Sequence, residues 1–388
     1  MVSVDSLLQN AARVLTAATG RTVDLVDAME LESESTVIRA TVVPPDGDHP
    51  ATVIVKRVTD QRLDLPGHVG PPSRFLNEWA ALEFRPDIEA DVAPRLVAAD
   101  RSQGLTIVED IGDHPTLESH LFGEKSELAM EGLATAGRLL GRLHAMSRDR
   151  ESEFAAAQVR LGTMSPSSDS TIDQRGRQPE FLSILEVSGI ERGESFGDQI
   201  VELESLIHDD SPFRSLIHAD AGPHNVLVAG DDSCLIDFEF AVYRNVLCDA
   251  VGPRLGFPQT TGVGWVPTDA VDTFEHSYRR AVVLGIPPAE DDSEFSRHLT
   301  AACGHWALNR WVHAWRDHLS RLGASPPGIG AIEAIKSVLM VIDGFVDASR
   351  CFGEFEVVAD ALGRFREEEV RRWPELEPAP VYPALRNL

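Results

Sequence analysis

Four polar residues in the stretch LIHADAGPHNVLVAGDDSCLIDFEFA, residues 216–241, have types and spacing that suit chemistry. His218, Asp220 and Asn225 spell H-x-D-x-x-x-x-N, and Asp237 follows twelve positions after Asn225, in LIDFE. Side-chain oxygens of this kind are hard donors, which Mg2+ takes alongside waters and phosphate oxygens. Asn225 and Asp237 offer such oxygens. Asp220 is a separate carboxylate, suited to accept a proton from an attacking hydroxyl. Histidine is a poor Mg2+ ligand, so His218 reads as a brace that holds the loop by hydrogen bonding. Together the four suit phosphoryl transfer, in which the protein mostly positions groups and neutralises charge. The plainer reading is a polar turn between two strands.

The flanking sequence supplies elements that would position them. NVLV and CLI are short apolar runs joined by the turn-like AGDDS, which predicts a β-hairpin bringing the end with Asn225 near the end with Asp237. Upstream, SLLQNAARVLTAA has helical apolar spacing. TVIRATVV and ATVIVKRV are β-branched runs around PPDGDHP, a second hairpin signal. SRFLNEWAALEF returns to helix, with Phe75, Trp79 and Leu82 on one face and Ser73 as the expected N-cap. APRLVAAD and GLTIVEDIG read as two further strands. From about residue 115 the texture is helical: 129–147, 269–284, 292–321, about 330–348 and 354–372. The second half of the polar stretch 147–178 reads as a mobile loop or insertion.

The balance of 62 acidic against 35 basic residues gives a formal charge of −27. That argues against nonspecific binding to nucleic acid or to an anionic membrane surface. It suits a cationic substrate, and equally mere solubility. Cys234, Cys248, Cys303 and Cys351 show no CxxC spacing, so a structural zinc site of that type is not expected. The N-terminus lacks a basic segment followed by an apolar core, and no apolar run approaches the ~18 residues that cross a bilayer. A cytoplasmic protein with free thiols is the expectation.

H-x-D-x-x-x-x-N followed by I-D-F-E resembles the catalytic core of the aminoglycoside phosphotransferase and choline kinase-like family, relatives of the protein kinases. LGRLHAMS resembles the family's Leu-x-x-Leu-His helix ahead of the catalytic loop. VIVKRV followed by FLNEWAAL resembles its strand lysine and helix glutamate, here Lys56 and Glu78. LTIVEDIGD resembles its hinge, which receives adenine through main-chain groups around Glu109 to Ile111. The resemblance runs from about residue 25 to about 255. It implies an α+β, bilobal protein kinase-like fold, with a small β-rich N-lobe over 1–112 and a larger α-rich C-lobe over 113–388. It also implies ATP or GTP with Mg2+, and a small-molecule hydroxyl as acceptor. Asp220 would be the base, Asn225 and Asp237 the metal ligands, and Lys56, set by Glu78, the phosphate-binding lysine. Asp249, in LCDAVG, matches an aspartate that the family places after the metal-binding strand, and reads as a helix cap or loop brace.

Two departures shape the alternatives. ELESESTVIRA, between the first two strands, contains no glycine where the kinase type has a Gly-rich loop. Backbone N–H groups of Ser33 to Thr36, helped by the Ser33 and Ser35 hydroxyls, would then have to reach the phosphates past Cβ atoms and past Glu32 and Glu34. The protein-kinase Arg of H-R-D is Ala219, and no Ala-Pro-Glu follows Asp237. The expectation is a small-molecule kinase whose acceptor is an antibiotic, nucleoside, sugar or amino alcohol. The alternative is a pseudokinase that binds nucleotide or metabolite without transfer. The helix CGHWALNRWVHAWRDH, with His305, Trp306, Arg310, Trp311, His313 and Trp315, reads as core or as part of an acceptor pocket.

Overall fold

The computed structural model describes residues 4–31, 37–44, 50–58, 71–84, 92–163, 178–208, 211–258, 264–319, 329–373, 376 and 379–388. In chain order its elements are α1 (Val4–Thr19), β1 (Asp24–Glu30), β2 (Val37–Val43), β3 (Thr52–Arg57), α2 (Pro71–Glu83), β4 (Leu96–Asp100), β5 (Leu105–Glu109), α3 (Leu117–Leu121), α4 (Ser126–Ser147), α5 (Glu151–Leu161), α6 (Gln178–Val187), α7 (Phe196–His208), β6 (Arg214–Ile217), β7 (Val226–Leu227), β8 (Cys234–Leu235), β9 (Val242–Asn245), α8 (Leu247–Ala250), α9 (Thr268–Val282), α10 (Asp292–Leu319), α11 (Ile329–Phe352) and α12 (Glu356–Arg372). The architecture is α+β.

The chain divides into two compact units. The first comprises 1–114, 150–169 and 229–241, and the second the remainder. Where the sequence reading draws one cut after residue 112, these units are discontinuous. The segment that carries Asp237 belongs to the first unit, and the segment that carries Asp220 and Asn225 to the second.

The first unit is built on a five-stranded antiparallel sheet in the order β1-β2-β3-β5-β4. Strands β2 and β3 alternate, as strands with one covered face do. On β2 and β3, Ile38, Ala40, Val42, Val53 and Val55 turn inward and meet Leu7, Ala11 and Leu15 of α1. The register sets the chemistry, because the same alternation that buries Val53 and Val55 turns Lys56 to the other face. The expected β2–β3 hairpin is present. Helix α2 begins at Pro71, so Ser73 lies inside it rather than capping it. Proline suits a first helical position because its missing N–H would have had no partner there.

The second unit is helical, with one small sheet of β6 and β9. Helices α4 and α9 cross closely. A Cβ on Gly137 would lie 2.4 Å from the Phe274 carbonyl, and one on Gly141 would lie 2.5 Å from that of Tyr278. The crossing brings His144 onto Tyr278, with Nδ1 3.0 Å from the phenol oxygen. Helices α9 to α12 follow the predicted patterns to within a few residues at most ends. The polar stretch after 147 begins as helix α5, and its 164–177 half lies outside the described residues. Among the described residues no helix is long and apolar enough to cross a membrane.

Candidate active site

In the first unit, Lys56 near the end of β3 reaches Glu78 of α2 and Asp237, the residue two positions after β8. Its Nζ donates to Glu78 Oε1 at 2.6 Å and to Asp237 Oδ1 at 2.7 Å. Burial disfavours the ammonium, but the two carboxylates outweigh it and hold Lys56 protonated well above its ordinary range. Glu78 is buried, whereas the Asp237 side chain is 46% exposed and able to take another partner. Asp237 has left-handed backbone angles, φ 71° and ψ 57°, uncommon for a residue with a Cβ.

The chain after Asp237 is tied down by α2. Asn77, fully buried, donates from Nδ2 to the carbonyls of Glu239 and Ala241 at 3.1 and 2.9 Å, and its Oδ1 accepts from Gln158 of α5 at 2.8 Å. Sequence reasoning missed Asn77, which is buried beside Glu78 on α2. Glu239 lies 3.5 Å from Arg74, whose guanidinium stacks on Phe240. Burial, reinforced by the Asp237 charge, lifts the Glu239 carboxyl to about 7.

In the second unit, the 218–225 loop leaves β6 and turns sharply. Ala219 has φ 63°, a costly conformation for a non-glycine residue unless its surroundings compensate. The compensation is Asp249 of α8, whose carboxylate accepts the N–H of His218 at 2.7 Å and that of Ala219 at 3.1 Å. Asp249 is itself 3.4 Å from His144 Nε2. Beneath it, Ser215 donates to the His144 carbonyl at 2.8 Å and lies 2.9 Å from Ser147. Asp249 is therefore a loop brace. His218 is fully buried and its Nδ1 accepts the Asp220 N–H at 3.3 Å, a bracing contact that also requires the proton on Nε2.

Asp220 is half-buried. The Asn225 amide donates to its carbonyl at 2.9 Å and to its Oδ2 at 3.3 Å, and His224 Nε2 is 3.7 Å from the same oxygen. This orientation leaves Asn225 its carbonyl oxygen as the atom to offer a cation. The Asp237 carboxylate is half-exposed in the first unit. Each of the two side chains offers a hard oxygen of the kind that Mg2+ takes.

At the hinge, the Glu109 N–H is taken by the Arg95 carbonyl at 2.8 Å. The Ile111 main chain makes no backbone hydrogen bond to another described residue. Asp110 between them pairs with Arg39 at 2.8 Å and accepts the Gly112 N–H at 3.0 Å, which fixes the turn. Arg39 was not legible as a hinge residue, because it is brought there by strand pairing. Ser33 and Ser35 lie outside the described residues, as do the side chains of Arg310, Trp311, His313 and Trp315.

A family model described as the phosphotransferase enzyme family matches residues 72–279, more than half of the chain. Solved structures that align with the chain include a gentamicin complex of APH(2")-IIa, at 13% identity over 92% of this chain and 99% of that one, with a TM-score of 0.48. A macrolide 2'-phosphotransferase from Brachybacterium faecium aligns at 14% identity over 87% and 98%, with a TM-score of 0.44. A choline/ethanolamine kinase family protein from Mesorhizobium loti aligns at 13% identity over 92% and 99%, with a TM-score of 0.44. No curated protein matches the chain significantly.

Proposed function

The chain belongs to the phosphotransferase enzyme family, and from that premise we propose that it transfers the γ-phosphoryl group of ATP or GTP to a hydroxyl of a small molecule in a magnesium-dependent reaction. The observation that carries this reading is the double pairing of Lys56. One buried carboxylate, Glu78, aims the ammonium, while the more exposed Asp237 is the partner that an incoming phosphate can replace.

Each residue then has one task. Lys56 binds the α- and β-phosphates and Glu78 keeps it extended. Asp237 and Asn225 hold Mg2+, which when bound neutralises charge on the phosphate oxygens. Asp220 accepts the proton of the acceptor hydroxyl, and the Asn225 amide on its Oδ2 keeps the carboxylate oriented. His218 and Asp249 fix the backbone from which Asp220 projects. The main chain from Glu109 to Ile111 receives the base, and the phosphates are assigned to Ser33 and Ser35 as well as to Lys56.

The acceptor is an antibiotic, nucleoside, sugar or amino alcohol. Phosphorylation of an antibiotic would confer resistance. A nucleotide-dependent reaction of this kind suits the cytoplasm. The test is calorimetric titration of ATP and of GTP, with and without Mg2+, into wild type and Asp237→Ala. Mg2+-dependent binding that the variant loses supports the reading, and a screen of hydroxyl acceptors for phosphorylated product follows. Absence of nucleotide binding under every condition refutes it. Binding with neither acceptor phosphorylation nor Mg2+-dependent ATP hydrolysis favours a binding module instead.

A further inference from the structure

We propose that the second unit carries a structural divalent-metal site, of a chemistry suited to Zn2+, formed by Glu204, His208 and His305. The inference is independent of the phosphotransfer reading. Glu204 and His208 are one turn apart on α7, and His305 comes from α10, 101 positions after Glu204. His208 Nε2 lies 3.0 Å from Glu204 Oε2, and His305 Nδ1 lies 3.3 Å from Glu204 Oε1. One nitrogen or oxygen from each of the three falls within 4.8 Å of the others. Ligands about 2.0–2.1 Å from a tetrahedral Zn2+ stand roughly 3.3–3.4 Å apart, so a small inward movement would seat the ion.

A second observation points to a ligand. Glu204 Oε2 and His208 Nε2 are buried and make no hydrogen bond among the described residues, although they are only 3.0 Å apart. Buried polar atoms without a partner are rare, because an unsatisfied buried group loses its solvation with nothing in return. Two of them converging on one point, with a third donor beside them, are arranged as ligands rather than as donor and acceptor. Two imidazoles and one carboxylate are a ligand set that Zn2+ takes readily, with water in the fourth position.

The site would pin the C-terminal turn of α7 to α10. His305 is followed by Trp306, whose indole N–H donates to the Cys248 carbonyl at 2.8 Å, next to the loop-bracing Asp249. A metal here would therefore stiffen the support beneath the 218–225 loop without touching it.

The test uses tag-free full-length protein, stripped of metal and kept in excess Mg2+ so that oxygen-only sites are filled. Co2+ is added first, as a spectroscopic probe, and then displaced with Zn2+. The expected result is one equivalent of Co2+ with the intense visible bands of a low-coordinate nitrogen-ligated ion, lost on adding Zn2+. A Zn2+-dependent rise in the unfolding midpoint should accompany it. His208→Gln, which keeps a polar side chain of similar reach, should weaken binding at least about tenfold and abolish the rise. X-ray absorption of the Zn2+-loaded wild type needs no variant and should show imidazole scattering. Absence of the Co2+ bands and of any Zn2+ effect on the midpoint overturns the proposal. So does an oxygen-only shell, or equal Zn2+ binding by folded His208→Gln.

Discussion

The cluster around Lys56 is held by charge, whereas the loop that carries Asp220 is held by backbone hydrogen bonds. One ammonium stands between two carboxylates, one buried and one 46% exposed. The exposed partner is exchangeable, because water and incoming anions compete with it for the ammonium. The 218–225 loop instead hangs from Asp249, 2% exposed, which accepts two main-chain N–H groups and leans on His144. None of those contacts can be traded with solvent. The difference suggests a division of labour, in which the cluster that must yield to a substrate is electrostatic and partly open. The loop proposed to hold a proton acceptor is anchored through its backbone.

The largest effect that would break this comparison is on turnover. Asp220→Asn preserves the fold and the loop contacts but removes the base, so kcat should fall by roughly 10²–10⁴ while nucleotide affinity is unchanged. Near-normal turnover would remove Asp220 from its proposed role. Next is Asp249→Ala. It leaves two buried N–H groups without acceptors, and denaturant unfolding should show a loss of roughly 2–5 kcal/mol. A loss below about 1 kcal/mol would mean that the loop is not hung from this carboxylate.

A buried histidine sharpens the contrast between polar groups with and without a charged partner. His298 of α10 lies 3.2 Å from Asn245, with burial pushing its pKa down from 6.5 to about 4. Below its unfolded value the unfolded chain takes up the proton first. This contribution to stability is therefore complete above pH 6.5 and is lost as pH falls towards about 4. Its size is roughly 3 kcal/mol, and His298→Gln should flatten the stability profile across that interval. An unchanged profile would assign the acid sensitivity elsewhere. The smallest effect on stability is that of Lys56→Met. Asp237 is half exposed and solvent screens it, but Glu78 is buried and loses its ammonium, so a loss of roughly 1–3 kcal/mol is expected. Nucleotide binding should nevertheless collapse, as a calorimetric titration would show.

Much of the fold was legible because its signals are local. The helical spacing of 292–321 and the β-branched runs around residues 44–50 each follow from which side chains share a face, and the α10 helix and the β2–β3 hairpin match them. Ser73 misled because a good capping residue two positions inside a helix has the same local sequence as one at its start. Proline at 71 had the stronger claim to the first turn. The chemistry of 216–241 was legible for the same reason as the helices. His218, Asp220, Asn225 and Asp237 lie within one short segment, and their order is itself the signal.

The sequence by itself therefore determined the residue types available for transfer, the order in which they occur, and the alternation that turns Lys56 away from the covered face of its sheet. Tertiary structure alone decided which distant groups complete them. Asn77 reaches the Glu239 and Ala241 carbonyls, Arg39 reaches Asp110, Asp249 reaches the His218 and Ala219 N–H groups, and His305 reaches Glu204. The physical reason is range. Periodicity and turn chemistry act over a few residues, whereas a buried polar group must find its partner wherever packing brings one within about 3 Å, at whatever separation along the chain.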